Sequence, residues 1–600
     1  MSLPTAVFRD PVRMLGLGIR GIGRIPARYA LVLAAVYALV IMVIGPLARL
    51  LALTAMAKAG IRTLTLDNAT QLFSSPVPLI LIGITVAIVV CATFVLTATL
   101  FVVADLHLSQ ARPSVFLLVT RVAAALGALS RPESVLLALT ACVLAPVAGF
   151  ALFSPLTSGL ALPPFIGREF AKTGPGSLGL HLAGALLVYL CFRTALIIPL
   201  TVVTGRRPSR TFVTSLAATH RDGLRMAILL GLGYTVTWLA SRLATTLLGL
   251  AVDGLSGAVD AGMLEAGARS GTGFMALASS TLFGYLIVAQ ARRVAGLASV
   301  EPPVSTLKAR PRRRALVIGT AALGLLTGVV TAQPGALALT PTSSDALVIA
   351  HRGYDSGGVE NTIGALEAAV PFNPDLVEVD IQQTGDGGFV ASHDTNLFVL
   401  AGLNRNIYEM TTAEVTSTTV RMTGNSDRIP TMTDYVRRAQ ELGQPLLIEL
   451  KVTGHEKPGF VRDLLAELER VDALESNVYH SLSESTVSQI TRLHPELRVG
   501  LTLGLLFGAP PLALDVDFYT IEQSSYTTEF IDAAHTLGRD VYVWTVNGDL
   551  GMRRFLRDGA DGLVTDRLGR ANHYRGLIGP GADYVPGDAR DALIADDIWR

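Results

Sequence analysis

Seven runs of predominantly apolar residues, at about 29–48, 77–103, 134–155, 178–204, 226–251, 273–291 and 315–337, dominate the first half of this 600-residue chain. Each is close to the roughly 20 residues that an α-helix needs to cross the hydrocarbon core of a bilayer. None of them contains an Asp or Glu. Lipid offers no hydrogen-bond partner to an open backbone, so runs of this kind fold as helices. A multi-pass α-helical membrane domain is therefore expected over residues 1–337, with a short polar linker at 338–345.

Clusters of Lys and Arg in short loops mark the cytoplasmic side. Arg9, Arg13, Arg20, Arg24 and Arg28 precede the first run, and Arg112, Arg121 and Arg131 flank the second and third. Arg206, Arg207, Arg210, Arg221 and Arg225 follow the fourth, and Arg292, Arg293, Lys308, Arg310, Arg312, Arg313 and Arg314 precede the seventh. This alternation predicts a cytoplasmic N-terminus, and seven crossings then deliver the chain after Leu337 to the outer side. Residues 114–130 are apolar but short and interrupted by Arg121, so they are read as an amphipathic helix lying in the interface. If they crossed, the parity would reverse. Arg193 and Arg242 fall inside the fourth and fifth runs, where a charge either binds an anionic group or ties two helices together.

The charge balance changes sign after residue 345. Residues 1–345 carry 28 Lys/Arg against 11 Asp/Glu, net +17, whereas residues 346–600 carry 21 against 37, net −16. An acidic second half repels a polyphosphate, which argues against nucleic acid as a partner. Cys91, Cys142 and Cys191 all lie in the apolar runs, so the second half has no thiolate for a metal site or disulfide.

From Ala346 the texture becomes short β-rich runs alternating with amphipathic helical segments, the pattern of a parallel sheet covered by helices. Strands are expected at 347–350, 376–381, 446–450, 478–481, 498–503, 517–522, 541–546 and 562–565, which is the number that closes a TIM-type (β/α)8 barrel over 346–575, leaving a tail at 576–600. Residues 389–392 are excluded from the barrel. The turn Thr384-Gly-Asp-Gly-Gly388 is too short for a parallel crossover, so this segment should fold back as an antiparallel arm.

Catalytic groups of such barrels sit at the C-terminal ends of the strands. There the sequence places His351-Arg352-Gly353, Glu378-Val-Asp380, His393-Asp394 and Glu449-Leu-Lys451. Glu378 and Asp380 are two apart on a strand and share a face. Turned into a barrel they require a cation, and Glu449 on the neighbouring strand makes three hard oxygen donors, a set suited to one divalent cation, Ca2+ or Mg2+, with Mn2+ also compatible. His351 and His393 are candidate proton carriers because imidazole titrates near neutrality. In the blander reading the carboxylates only balance Arg352 and Lys451, but two cations beside three carboxylates suit a metal and an anionic substrate together.

These residues resemble the motifs of the glycerophosphodiester phosphodiesterase family: His351-Arg352-Gly353, Glu360-Asn361-Thr362, Glu378-Val-Asp380, His393-Asp394, Glu449-Leu-Lys451, Trp544-Thr-Val-Asn547 and Asp561-Gly-Leu-Val-Thr-Asp566, in order over about 346–570. The apolar first half is similar in texture to the membrane domain of some bacterial members. The resemblance implies hydrolysis of glycerophosphodiesters to glycerol phosphate and an alcohol. It also implies that His351 and His393 act as general base and acid, Glu378, Asp380 and Glu449 hold the metal, and Arg352 and Lys451 hold the phosphate. Glu360 and Asn361 would support the site and Trp544 would line it. In the family the nucleophile is thought to be the substrate's own 2-hydroxyl. Two departures, Tyr479-His480-Ser481-Leu482 in the fourth strand and Asp434, are expected to lie away from the metal and the histidines and to bear on specificity. A phospholipase acting on intact lipid headgroups at the membrane surface, and a polytopic transporter or receptor whose barrel only binds ligand, are the competing readings.

Overall fold

The computed structural model of the protein describes residues 11–61 apart from 17 and 20–26, then 63–64, 72–73, 75–109, 114–140, 174–255, 281–297, 345–504, 507–508 and 514–577. The chain divides into two units, one of Met1–Ala55, Pro76–Leu337 and Pro586–Arg600, the other of Met56–Ser75 and Ala338–Val585.

In the first unit three helices are long and apolar enough to cross a membrane, Leu31–Lys58, Pro76–Leu108 and Leu178–Thr204. They correspond to the first, second and fourth apolar runs. The fifth run lies on the helix Gly223–Leu255. Parts of the third and sixth runs, and all of the seventh, lie outside the described residues. Pro76–Leu108 has 33 residues, about 50 Å at 1.5 Å per residue. Its first turns expose Val77, Leu79, Ile80, Ile84 and Val86, whereas Phe94, Leu96, Leu100 and Phe101 are buried against other helices.

Several charges of this unit are paired. Asp105, two residues beyond the second run, is buried against Arg292 and lies 3.9 Å from Arg121. Arg193 donates from Nη2 to the Leu216 carbonyl at 3.0 Å, and its own carbonyl accepts from Ser215 Oγ at 2.7 Å. It thus ties the helix Gly174–Thr194 to Pro208–Arg221, the simpler of its two expected roles. The side chain of Arg242 lies outside the described residues. Residues Val115–Leu126 form a 12-residue helix capped by Ser114, whose hydroxyl accepts from the Leu117 amide.

The second unit begins with β1 (Thr63–Leu64). Its barrel strands are β2 (Leu347–Ala350), β3 (Leu376–Gln383), β7 (Leu446–Leu450), β8 (Val478–Ser481), β9 (Val499–Leu503), β11 (Phe518–Glu522), β12 (Asp540–Trp544) and β13 (Gly562–Thr565). Each pairs in parallel with the next, and β2 pairs with both β13 and β3, so the eight strands close. Most read as continuous apolar runs because both faces are covered. Inside the barrel Ile349, Leu447, Phe518, Tyr542 and Val564 form one buried cluster. Gly500 makes room for Phe518: a Cβ there would come within 2.2 Å of the ring.

Outside, helices begin on the Ser or Thr caps that their sequences supply. Thr431 Oγ1 accepts from the Asp434 amide at 3.0 Å, Ser483 Oγ from the Thr486 amide at 3.2 Å, and Thr527 Oγ1 from the Phe530 amide at 3.1 Å. The arm β4 (Phe389–Ala391) folds back antiparallel on β3, with Ile381 opposite Ala391. Two features go beyond the sequence expectation. A hairpin of β5 (Thr419–Met422) and β6 (Asn425–Arg428) turns through Thr423 and Gly424, both at positive φ. And β1 pairs antiparallel with β10 (Phe507–Gly508), which follows the C-terminal end of β9.

Candidate active site

Three strand ends and two loops meet at the C-terminal mouth of the barrel. The ladder sets Asp380 of β3 opposite Glu449 of β7, and Glu449 opposite His480 of β8. Glu378 lies two residues before Asp380 on the same face. After β2 the chain turns sharply at Arg352 (φ 56°) and Gly353 (φ 86°). A Cβ on Gly353 would meet the Ala365 backbone at 2.7 Å, so only glycine fits this approach.

That turn buries Arg352, 7% exposed, among carboxylates. Its amide donates to Glu378 Oε2 at 2.9 Å, Nη1 donates to Glu360 Oε1 at 3.1 Å, and Nε lies 3.4 Å from Asp380 Oδ2. Lys451 Nζ lies 3.1 Å from Asp380 Oδ1 and 2.7 Å from Glu449 Oε1. Asn361, held at φ 59°, donates to Asp380 Oδ2 at 2.8 Å and accepts from the Asp380 amide at 3.0 Å. Glu360 and Asn361 therefore hold the ionic cluster, while Thr362 is the helix cap.

Glu360, Glu378, Asp380 and Glu449 are all buried. Against the two cations paired with them, Arg352 and Lys451, four ionised carboxylates leave two negative charges, the amount that one divalent cation neutralises. Their titration reflects the same imbalance. Burial, then the charges of Asp380 and Glu449, push Glu378 well above the usual carboxylate range. Burial also raises Glu449, against the pull of Lys451. Burial acts the same way on Asp380, but Lys451, His393, Arg352 and the Asn361 hydrogen bond outweigh it and hold Asp380 well below that range. Lys451 is raised because Asp380 and Glu449 overcome the burial that opposes its charge. An acid cluster that can ionise fully only beside an added cation has the donor chemistry of a divalent metal site.

The two histidines are each oriented by a carboxylate. His351 Nδ1 donates to Asp566 Oδ1 at 2.7 Å. Asp566 is fixed in turn by Asn547, whose Nδ2 donates to Oδ2 at 2.6 Å and whose Oδ1 accepts from the Asp566 amide at 2.9 Å. His393, at the end of the β4 arm, donates from Nδ1 to Asp394 Oδ1 at 2.8 Å. Gln382 donates to the carbonyls of Ser392 and His393 at 2.8 and 2.9 Å and anchors that arm. A ligand atom each from Glu360, His393 and Asp394 also lie within 4.8 Å of one another. Trp544 ends β12 half-buried and donates to the Thr520 carbonyl at 3.3 Å.

One expectation is corrected. His480, expected away from the metal and the histidines, lies beside two of the expected ligands: a ligand atom each from Glu378, Glu449 and His480 lie within 4.8 Å of one another. Its Nδ1 is 2.7 Å from Thr502 Oγ1, and burial pushes the ring's pKa down to about 3, so the imidazole is neutral. Asp380, expected in the same donor set, is turned toward Arg352, Lys451 and Asn361. Asp394, Asp566, Asn547 and Thr502 were not foreseen as partners. The first three stand inside the motifs themselves, so adjacency to a histidine or to a strand end was the available signal. Glu522, fully buried at the end of β11, accepts from the Ser524 amide at 2.7 Å and was also missed.

A closed parallel barrel whose mouth carries this acid cluster, two buried cations and two carboxylate-oriented histidines has the groups that hydrolysis of a phosphoric diester needs. The sequence model of the Glycerophosphoryl diester phosphodiesterase family matches residues 351–570, and that of the membrane domain of glycerophosphoryl diester phosphodiesterase matches residues 22–266. A glycerophosphodiester phosphodiesterase of Caldanaerobacter subterraneus is 25% identical over 227 residues, covering 37% of this chain and 93% of that protein. A human lysophospholipase D is 25% identical over 261 residues, covering 36% and 82%. Among solved structures, a Silicibacter pomeroyi protein described as a glycerophosphoryl diester phosphodiesterase superposes with a TM-score of 0.35 at 23% identity, covering 39% of this chain and 94% of that one. An Oleispira antarctica phosphodiesterase in complex with sn-glycerol-3-phosphate gives 0.34 at 23%, covering 38% and 96%. The barrel of this chain is thus similar to the glycerophosphoryl diester phosphodiesterase family, and the segment before it to the membrane domain that accompanies that family.

Proposed function

We propose that the barrel hydrolyses glycerophosphodiesters to glycerol phosphate and an alcohol at the outer face of the membrane, with one divalent cation held by Glu378, Asp380 and Glu449. The observation that carries this reading is the pair of histidines, each with a carboxylate on Nδ1, bordering a cluster with two buried cations. A carboxylate only accepts, so it fixes the proton on Nδ1 and leaves Nε2 as the nitrogen that exchanges protons. His351 takes a proton from the nucleophile and His393 gives one to the leaving alkoxide. Arg352 and Lys451 orient the phosphate, and Trp544 lines the approach. When bound, the cation supplies neutralisation of charge on the phosphoryl oxygens.

Sidedness is supported by the Lys/Arg clusters of alternate loops, which put the N-terminus in the cytoplasm. The helix Val115–Leu126, at 12 residues, is about 18 Å long, short of the roughly 30 Å hydrocarbon core. With that helix in the interface, seven crossings bring the chain after Leu337 to the outer side. Protease added to right-side-out spheroplasts should release the barrel by cleavage near Thr340; protection until lysis would overturn the orientation.

Activity is tested on the full chain in detergent with a panel of soluble glycerophosphodiesters and with lysophospholipid, with and without chelator. Chelator-sensitive release of glycerol phosphate from the soluble diesters is expected. Release from lysophospholipid alone would favour the headgroup-cleaving reading, which tethering at a bilayer and the lysophospholipase D relative support. No turnover of any diester with metal present would overturn both.

A further inference from the structure

His480 is a buried imidazole with one nitrogen accounted for. It is 3% exposed, and Nδ1 is engaged by Thr502 Oγ1 at 2.7 Å. Nε2 is buried and makes no hydrogen bond, although a ligand atom each from Glu378, Glu449 and the ring lie within 4.8 Å of one another. Both arrangements of the ring proton leave a deficit. With the proton on Nδ1, donated to Thr502, the buried Nε2 lone pair is left without a donor. With the proton on Nε2, a buried N–H is left without an acceptor, against the rule for buried polar groups. A cation at the centre of the three removes the first deficit. Metal–ligand bonds of about 2.0–2.6 Å place neighbouring ligand atoms about 3–4.5 Å apart, which a group within 4.8 Å satisfies.

The backbone supports the same role. His480 lies opposite Glu449 on the adjacent strand, in the row that also contains Asp380. A metal-ligating histidine has its other nitrogen fixed by a second group, the part Thr502 plays.

We propose that His480 Nε2 is a ligand of the cation held by Glu378 and Glu449, and that this nitrogen donor makes the site favour transition-series cations, for which Mn2+ serves as the spectroscopic probe, over Ca2+ and Mg2+. The proposal rests on the reading that the acid cluster holds a divalent cation. It refines the all-oxygen donor set, because imidazole suits borderline cations and adds little for the alkaline earths.

The full chain in detergent, stripped with chelator and loaded with Mn2+ alone, is examined by pulsed electron paramagnetic resonance for nitrogen coupling, and its Mn2+ and Ca2+ affinities are measured by calorimetry. Directly bound imidazole nitrogen is expected in the wild type and in His351→Gln and His393→Gln. His480→Gln should lose the coupling and at least about tenfold in Mn2+ affinity, with Ca2+ affinity changed by less than about threefold on the same donor-softness argument. If His480→Gln does not fold, persistence of the coupling in the other two variants still assigns it to His480. Bound Mn2+ without nitrogen coupling in the wild type, or coupling lost in His351→Gln or His393→Gln, overturns the proposal. Absence of any Mn2+ or Ca2+ binding fails the metal reading beneath it.

Discussion

Replacing Asp380 by Asn removes one charge from the most enclosed point of the barrel mouth and should destabilise the domain as well as silence it. Asp380 is 1% exposed and stands 3.1 Å from Lys451 Nζ and 3.4 Å from Arg352 Nε. At an effective dielectric of about 20, each contact carries about 5 kcal/mol of gross attraction. Most of this offsets desolvation, and breaking a buried pair while leaving its partner costs about 3–5 kcal/mol net. For a domain of this size each kcal/mol moves the unfolding midpoint by about 2–4 °C, so a fall of roughly 6–20 °C is expected for the metal-free full chain, followed by near-ultraviolet circular dichroism. Adding Lys451→Met removes one of the stranded cations and should recover about 1–3 kcal/mol of the loss as coupling between the sites. An Asp380→Asn midpoint within about 2 °C of wild type, or two substitutions whose effects simply add, would refute the view that Asp380 anchors both cations.

Four further outcomes follow. His393→Ala should be partly rescued by a p-nitrophenyl phosphodiester, whose phenolate leaves without a proton, whereas His351→Ala should not; the reverse pattern in turnover assays swaps their roles. Asp566→Asn should lower kcat by about 10²–10⁴-fold with little change in KM, because it releases the His351 ring without touching the phosphate site. Glu449→Gln should weaken Mn2+ and Ca2+ binding in calorimetry while the chain stays folded, and chelator should abolish wild-type turnover reversibly. Asp386, on which burial acts upward but the hydrogen bonds from Thr384 and Thr412 together outweigh it and lower the pKa from 3.8 to about 2, should contribute about 1 kcal/mol after allowance for its exposure. That contribution is complete above the unfolded value and disappears as pH falls through the folded one, so denaturant curves of wild type and Asp386→Asn should differ at neutral pH and converge near pH 2.

The barrel was legible because its signals are local. The observed bounds of β2, β7, β8 and β13 coincide with apolar runs that end in turn residues, and the short Gly-rich turn before Phe389 was enough to exclude β4 from the closed sheet. The hairpin of β5 and β6 was missed because its strands are polar and its turn carries Thr423 where Asn or Asp would announce φ > 0. At the site, residue types and strand phase located the acids and histidines. They could not show that Asp380 turns to the cations or that His480 turns to the acids, since both depend on χ angles chosen by neighbours on other strands. Thr502, which orients His480, lies 22 positions away and carries no motif. The β1–β10 pairing joins residues more than 400 positions apart, beyond the reach of any periodicity.

The lateral row of Asp380, Glu449 and His480 on β3, β7 and β8 makes catalysis sensitive to threading. Side chains alternate across a strand, so a one-residue slip of β7 would turn Glu449 toward the helices and bring an aliphatic neighbour into its place. A mis-threaded barrel would keep its secondary structure and be chemically silent. Active-site titration of a membrane preparation would therefore serve as a census of correctly threaded barrels, where the spectroscopic signal of folding is dominated by the helices of the other half of the chain.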